Sequence, residues 1–404
     1  MGHFFQDNIT DCMLKYRKNM EQKRFQRNQN KMHKTVQREK RNDYFKEMET
    51  RMKTKRKKII KGISAVLLLT VILVIVLLAV LTIREYRPEA VEQLTTGTGS
   101  KQLNTGDSFS ILTYNTGYAG LSKDEDFFMD GGKKVMPESK ELVEQNMEGI
   151  SSILKEQDAD VYFLQEVDQD SKRSYHMNEA QYYEKELGLE GIFAYNFKCD
   201  YVPYPIPTIG KVNSGIMTVS DFGVSEASRI ALPESFKWPV KTCNLKRCML
   251  ETRIPIEGSE KELVLINFHL EAYDSGEGKI AQSKMLAEKL EEEYKAGNYV
   301  IAGGDFNQTF PGINAYPIHD KDGWVPGEMS EEDLPDGFGF AVADNVPTCR
   351  LLNESYSGNY EDSQVYVIDG FIVSDNVSVD EVKNVDVGFE YTDHQPVKLN
   401  VTLK

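Results

Sequence analysis

From Gly62 to Ile83 the chain reads GISAVLLLTVILVIVLLAVLTI, without a single charged residue. At about 1.5 Å of rise per residue, a helix over Ile63–Ile83 is roughly 31 Å long, the thickness of a bilayer hydrocarbon core. A buried helix of a soluble domain would keep some polar face, and this run has none. A cleaved signal peptide is disfavoured as well. Its charged leader would be far too long, and the next residues, Arg84, Glu85 and Tyr86, offer no small-x-small cleavage site. The sequence therefore predicts one transmembrane helix over 63–83.

Charge divides at this span. Residues 1–62 carry 19 Lys and Arg against 7 Asp and Glu, a net +12, while the remainder carries 29 against 56, a net −27. The basic run Arg51–Lys58, with Lys61, immediately precedes the span. The positive-inside rule then places the N-terminus in the cytoplasm and the C-terminal part outside the cell. The same basic cluster suits anionic lipid headgroups. Residues 3–61 hold neither Gly nor Pro, so a helix is expected from about Ile9 to Lys58. Its sparse apolar residues keep no heptad. The 1–62 tail reads as a solvated helix that sets topology; a cytoplasmic partner-binding arm is the alternative, with the partner unknown. Residues 84–108, polar and rich in Gly and Thr, read as a flexible tether.

From Phe109 short apolar runs alternate with charged, helix-like segments. Strands are expected at Phe109–Tyr114, Val161–Gln165, Ser214–Ser220, Met249–Ile256, Leu263–His269, Tyr299–Gly303, Val365–Val373 and Val397–Leu403. Helices are expected at Glu138–Gln157, Ser174–Leu187 and Lys279–Ala296. The pattern predicts one large α/β domain over 109–404, with two sheets and helices outside them.

Polar residues sit where the apolar strands stop. Asn115 ends ILTYN, Glu166 ends VYFLQE, and His269 ends LVLINFH. Asp305 and Asn307 follow YVIAGG, Asp369 lies in VYVIDGFIVS, and Asp393 and His394 precede the last strand. Four carboxylates and two Asn offer the hard oxygen ligands that suit Mg²⁺, Mn²⁺ or Ca²⁺, and no Cys/His cluster has zinc spacing. Two His can hold or move a proton near neutral pH. Neither a phosphate-binding Gly-x-x-x-x-Gly-Lys-Ser/Thr loop nor a Gly-x-Ser-x-Gly elbow is present.

The ordered set TYN, LQEVD, NFHL, GGDFN, VIDGFIV and TDHQPV resembles the endonuclease/exonuclease/phosphatase superfamily, on its deoxyribonuclease and sphingomyelinase side. The resemblance spans about Phe109 to Leu403. It implies a four-layer α/β sandwich, two packed mixed sheets flanked by helices, and a metal-dependent phosphodiesterase that uses Mg²⁺, or Mn²⁺ or Ca²⁺. It further implies Glu166 as principal metal ligand, with Asn115 and Asp393 completing or supporting the metal site. Asp305 and Asn307 would orient water and phosphate, Asp369 would align a catalytic His, and His394 would contact the scissile phosphate. His269 matches the His of the deoxyribonuclease and sphingomyelinase branches. Which His acts as acid stays open. Asn213, in the Asn213-Ser214-Gly215 segment, would touch phosphate.

The expected substrate is a phosphodiester, either a phospholipid headgroup or nucleic acid. The net −27 argues against a broad, non-specific DNA groove. A non-catalytic, membrane-anchored binding module on the same fold is the alternative. Two segments belong to the site's rim in this reading. Tyr201–Pro207 holds three Pro and two Tyr and is either a substrate- or membrane-contacting loop or a stiff connection. Arg350 either binds phosphate or forms a surface ion pair. Cys199, Cys243, Cys248 and Cys349 carry no predicted disulfide. Asn307-Gln308-Thr309 is a glycosylation sequon on the presumed catalytic loop, which favours a bacterial plasma membrane.

Overall fold

The computed structural model describes residues 4–274, 276–313, 316–319 and 323–404. By its contacts the chain forms two units, Met1–Leu78 and Ala79–Lys404. The first is one helix, α1 (Phe4–Ile83), whose last turn enters the second unit. The sequence suggests a tail helix and a separate span, but the helix continues through Gly62, where no side chain or turn interrupts it. This helix is long and apolar enough over one stretch to cross a membrane.

The second unit holds the strands β1 (Val91–Gln93), β2 (Ser108–Asn115), β3 (Val161–Asp168), β4 (Gly191–Val202), β5 (Gly210–Ser220), β6 (Glu226–Ala231), β7 (Cys248–Pro255), β8 (Glu262–His269), β9 (Tyr299–Asp305), β10 (Gln308–Thr309), β11 (Gly327–Glu328), β12 (Phe338–Ala341), β13 (Cys349–Arg350), β14 (Val365–Tyr366), β15 (Asp369–Ser374), β16 (Val377–Asn384) and β17 (Val397–Leu403). Its helices are α2 (Lys140–Gln157), α3 (Glu179–Leu187) and α4 (Glu277–Lys295). One sheet runs β1-β6-β7-β8-β9-β15-β12 and the other β16-β17-β2-β3-β5-β4. Each is mixed, with one parallel pair: β2 with β3, connected through α2, and β8 with β9, connected through α4.

The layers follow from side-chain alternation. Residues such as Ile111, Phe163, Leu250, Leu265, Ile301 and Phe371 point between the sheets and form one buried cluster. The opposite face of the second sheet buries Leu112, Tyr162 and Leu164 against Val143, Met147 and Ile150 of α2. The opposite face of the first buries Val264, Ile266 and Val300 against Leu286 and Leu290 of α4. The result is the expected four-layer sandwich. Ser139 caps α2 by accepting from the Leu142 amide, and Asn178 caps α3 through the Gln181 amide. The Asn178 cap explains why α3 starts later than Ser174, where the apolar pattern places it.

Residues 84–108 are not a free tether. Val91–Gln93 extends the first sheet antiparallel to β6. Leu103 is buried in the inter-sheet core, and Lys101 pairs with Asp160 and Asp221. Polar composition concealed this docking because its anchors are single residues rather than an apolar period.

Candidate active site

Strand register assembles the site. His269, Asp305 and Asp369 lie opposite one another across β8, β9 and β15, so their side chains leave the first sheet in one row on one face. That face is the inter-sheet one, since Phe371, two residues along β15 from Asp369, belongs to the inter-sheet cluster. From the second sheet Asn115 ends β2 and Glu166 lies in β3. Both parallel pairs thus present their C-terminal ends to one place, at the open end of the inter-sheet core.

Two backbone features aim these groups. Between Leu164 and Val167 the β3–β5 register shifts, and Glu166 takes φ 56°, a left-handed conformation that turns its carboxylate toward the site. Before Asp305, a Cβ on Gly303 would meet the Phe371 ring at 2.3 Å and one on Gly304 the Phe268 carbonyl oxygen at 1.9 Å. Gly304 also holds φ 149°. Only glycine lets the strands close this tightly beneath Asp305.

The resulting contacts are short. The Asn115 amide nitrogen donates to Asp305 Oδ2 at 3.0 Å and lies 3.3 Å from Glu166 Oε1, while its oxygen accepts from the Gly117 amide at 3.0 Å. His394 Nδ1 lies 2.9 Å from Asp369 Oδ2, and its Nε2 lies 3.7 Å from Asp305 Oδ2. His269 Nε2 is 3.4 Å from the same Asp305 oxygen. Asp305 Oδ1 accepts from the Asn307 amide at 2.8 Å, and the Asn307 side chain donates to the Leu270 carbonyl at 2.9 Å. Asp393 accepts from the Thr392 hydroxyl. The ligating atoms of Asp305, Asp369 and His394, and those of Cys349, Asp393 and His394, each lie within 4.8 Å of one another.

Electrostatics separates the roles. Burial pushes the Asp305 carboxyl up to about 7, and the Asp369 charge adds to the shift. Burial likewise raises Glu166 and Asp393, and the charge of Asp393 raises Glu166 further. Burial opposes a charged His394, yet Asp369 foremost, with Asp393 and Asp305, holds its pKa well above the usual value. Burial, then Arg247 and His394, drives His269 well below it. One His is therefore kept cationic and the other neutral.

The groups open into a cleft of about 510 Å³ with largely apolar walls, including Tyr118, Phe128, Phe197 and Tyr204. Glu166, His269, Asp305, Asn307, Asp393 and His394 line it. Arg173, missed in the sequence, lines it too. It is bidentate to Asp168 at 2.9 and 3.1 Å and stacks 3.7 Å over the Tyr118 ring. Nothing in its surroundings in sequence marks it; only the β3–α3 turn brings it in. Asp130, bonded to the Tyr273 hydroxyl at 2.8 Å, and Cys349, whose buried thiol adjoins His394, were missed for the same reason.

Of the two expected substrate contacts, Arg350 lines the cleft and Asn213 does not. The Arg350 guanidinium donates to the carbonyls of Ser122, Glu125 and Glu354 at 2.8, 3.0 and 3.1 Å. Those bonds use it to close the loop 121–125, and the guanidinium, buried at the cleft wall, forms no surface ion pair. Asn213 is not among the cleft-lining residues; its β5 neighbours Ser214 and Gly215 are. Strand alternation sends the Asn213 side chain to the other face.

A hard divalent cation fits these residues. Glu166 is a partly buried and Asp393 a buried carboxylate. Burial favours the protonated form of both, the Asp393 charge raises Glu166 further, and no Lys or Arg ion pair joins either among the described residues. Asn115 supports Glu166 through its amide nitrogen.

The model of the Endonuclease/Exonuclease/phosphatase family matches residues 112–394. Among curated proteins, none matches the sequence. Among solved structures, an endonuclease/exonuclease/phosphatase protein from Beutenbergia cavernae is similar, with 16% identity, TM-score 0.53, and 73% of this chain and 72% of that chain covered. One from Bacteroides vulgatus gives 16% identity and TM-score 0.48 over 74% of this chain and 100% of that one. The human nocturnin catalytic domain, bound to a sulfate anion, gives 16% identity and TM-score 0.47 over 75% and 96%. With the sandwich, the strand-end site and a family match across nearly the whole catalytic unit, the chain belongs to the endonuclease/exonuclease/phosphatase family.

Proposed function

We propose that this protein is a membrane-anchored, divalent-metal-dependent phosphodiesterase, with α1 crossing the plasma membrane and the catalytic unit outside. The observation that carries the catalytic reading is the Asp369–His394 pair at 2.9 Å beside buried Asp305 and Asp393 and the partly buried Glu166. When bound by Glu166 and Asp393, Mg²⁺ or Mn²⁺ supplies positive charge for phosphoryl oxygens. Asp369 keeps the His394 Nδ1 proton in place, which leaves Nε2–H to donate to a phosphoryl or leaving oxygen. Asp305, with a pKa near neutrality, accepts a proton from water positioned with Asn307. Neutral His269 stabilises Asp305 by hydrogen bonding at Nε2. Apolar cleft walls exclude bulk water and strengthen these charges.

The anchoring reading rests on the uncharged run Ile63–Ile83 and the basic run before it. The substrate is a phospholipid or a nucleic acid. Full-length protein in membranes with Mg²⁺ is offered sphingomyelin, phosphatidylcholine, DNA, RNA and a simple phosphomonoester. Cleavage of at least one diester and little of the monoester is expected. Folded, metal-bound protein inert on every diester would overturn the catalytic reading.

A further inference from the structure

The chain that leaves α1 is fastened to the rim of the cleft. The Trp238 indole N–H donates to Thr82 Oγ1 at 3.1 Å, in the last turn of α1. Arg84 pairs with Asp200, at the end of β4, at 2.6 Å. Glu85, almost fully buried, accepts from buried Lys246 at 3.0 Å. Tyr86 meets Tyr195 edge to face at 6.2 Å. These contacts leave no free linker between the end of the apolar run and the catalytic fold.

Two segments beside these contacts also carry exposed apolar side chains. Beyond Ile83, twelve large apolar residues are exposed among the described residues, and five of them lie here: Tyr201, Tyr204, Ile206, Trp238 and Val240. Ile206 is 93% exposed and Trp238 57%. The two segments, 201–209 and 236–244, adjoin each other where Cys243 packs against the Cys199, Val202 and Val212 cluster. Tyr204 and Val240 line the cleft as well, and Tyr204 meets Phe128, also of the lining, edge to face at 5.8 Å. Lys237 and Lys241 flank Trp238. Trp and Tyr beside Lys is the composition of a membrane–water interface, where an aromatic ring has an apolar body and a polar tip.

We propose that these two segments form a lip that seats in the interface of the same bilayer that α1 crosses, holding the cleft mouth against the lipid surface. The proposal rests on the anchoring reading above. It selects a bilayer as occupant because Thr82 and Glu85, where the chain leaves the span, are joined to Trp238 and Lys241 of the lip itself, and Arg84 to Asp200 just before it. A free-standing domain on a long tether would need no such contacts.

The chain has two tryptophans, Trp238 and Trp324. Trp324 is only partly exposed, and its indole N–H donates to the Ala272 carbonyl at 2.8 Å. Full-length protein is reconstituted into phosphatidylcholine–phosphatidylglycerol vesicles, with or without lipids brominated on the acyl chains near the headgroup. Brominated lipid should quench part of the tryptophan emission. Trp238→Phe should abolish the quenching, and Trp324→Phe should leave the remaining emission almost wholly quenchable. As a second readout, the double variant Ile206→Ser with Trp238→Ser should lose most hydrolysis of a vesicle-borne diester while a water-soluble diester is cleaved as before. Protein that resists alkaline extraction yet shows no bromine quenching at Trp238 overturns the lip and leaves the anchor standing. Protein released by alkaline extraction overturns the anchor and the lip together.

Discussion

Replacing Asp369 with Asn tests the electrostatic core of the site without changing its shape. The lost contact is between Asp369 Oδ2 and His394 Nδ1 at 2.9 Å, with both residues buried. At an effective dielectric of about 20, unit charges at that distance interact by about 6 kcal/mol. Part of the field survives, because Asp305 and Asp393 remain 3.7 and 4.0 Å from Nε2. A net loss of roughly 3–4 kcal/mol follows, or about two to three orders of magnitude in turnover. The Asn amide also permits the wrong imidazole tautomer. Turnover of a soluble diester is measured against pH for wild type and Asp369→Asn, with circular dichroism as the folding control. His394 acts as the cation, so lowering its pKa should move the alkaline limb of the profile to lower pH. Turnover within about threefold of wild type, with an unmoved alkaline limb, would refute the assigned role of the pair.

Three further outcomes follow from the same geometry. Burial pushes Asp130 up to about 6, above its ordinary 3.8, so its contribution to stability is present at low pH and lost as pH rises through about 6. Relative to Asp130→Asn, which keeps a partner for Tyr273, wild type should lose about 3 kcal/mol between pH 4 and pH 7 in denaturant titrations; parallel curves would contradict this. Arg350→Met strips donors from the buried carbonyls of Ser122 and Glu125 and should cost about 3 kcal/mol or more in stability, with KM unchanged in the folded fraction. A raised KM without loss of stability would restore Arg350 as a substrate ligand. Protease added to intact cells should digest the chain after Ile83 and spare the basic tail; protection of the catalytic unit would reverse the proposed orientation.

The sandwich was legible because its buried strands are continuous apolar runs, and the polar residues that interrupt them mark the strand ends. Asn115, Glu166, His269, Asp305, Asp369 and His394 could be read this way, since a polar group at a strand end is conspicuous against its neighbours. Arg173 and Asp130 sit in turns where charged residues are ordinary, and only folding makes them part of the cleft. Arg350 could be placed at the rim, but its carbonyl partners Ser122, Glu125 and Glu354 come from other turns of the chain and no sequence pattern announces them. Strand β4 was missed because its half-buried alternation is broken by Asn196 and Lys198, and register shifts between Tyr195 and Phe197 and between Cys199 and Val202 interrupt its period. The docking of 84–108 depends on isolated anchors such as Leu103 and Glu85, which no periodicity reveals.

The account depends most on a hard cation at Glu166 and Asp393. Full-length protein in membranes is assayed on its cleaved diester before chelation, after exhaustive EDTA treatment, and after return of Mg²⁺ or Mn²⁺. Binding of Mn²⁺ is followed in parallel by electron paramagnetic resonance for wild type and Glu166→Gln. The account predicts that activity disappears on chelation and returns with the metal, and that Glu166→Gln stays folded while binding Mn²⁺ at least about tenfold more weakly. Full activity after chelation, or wild-type Mn²⁺ affinity in Glu166→Gln, would contradict it.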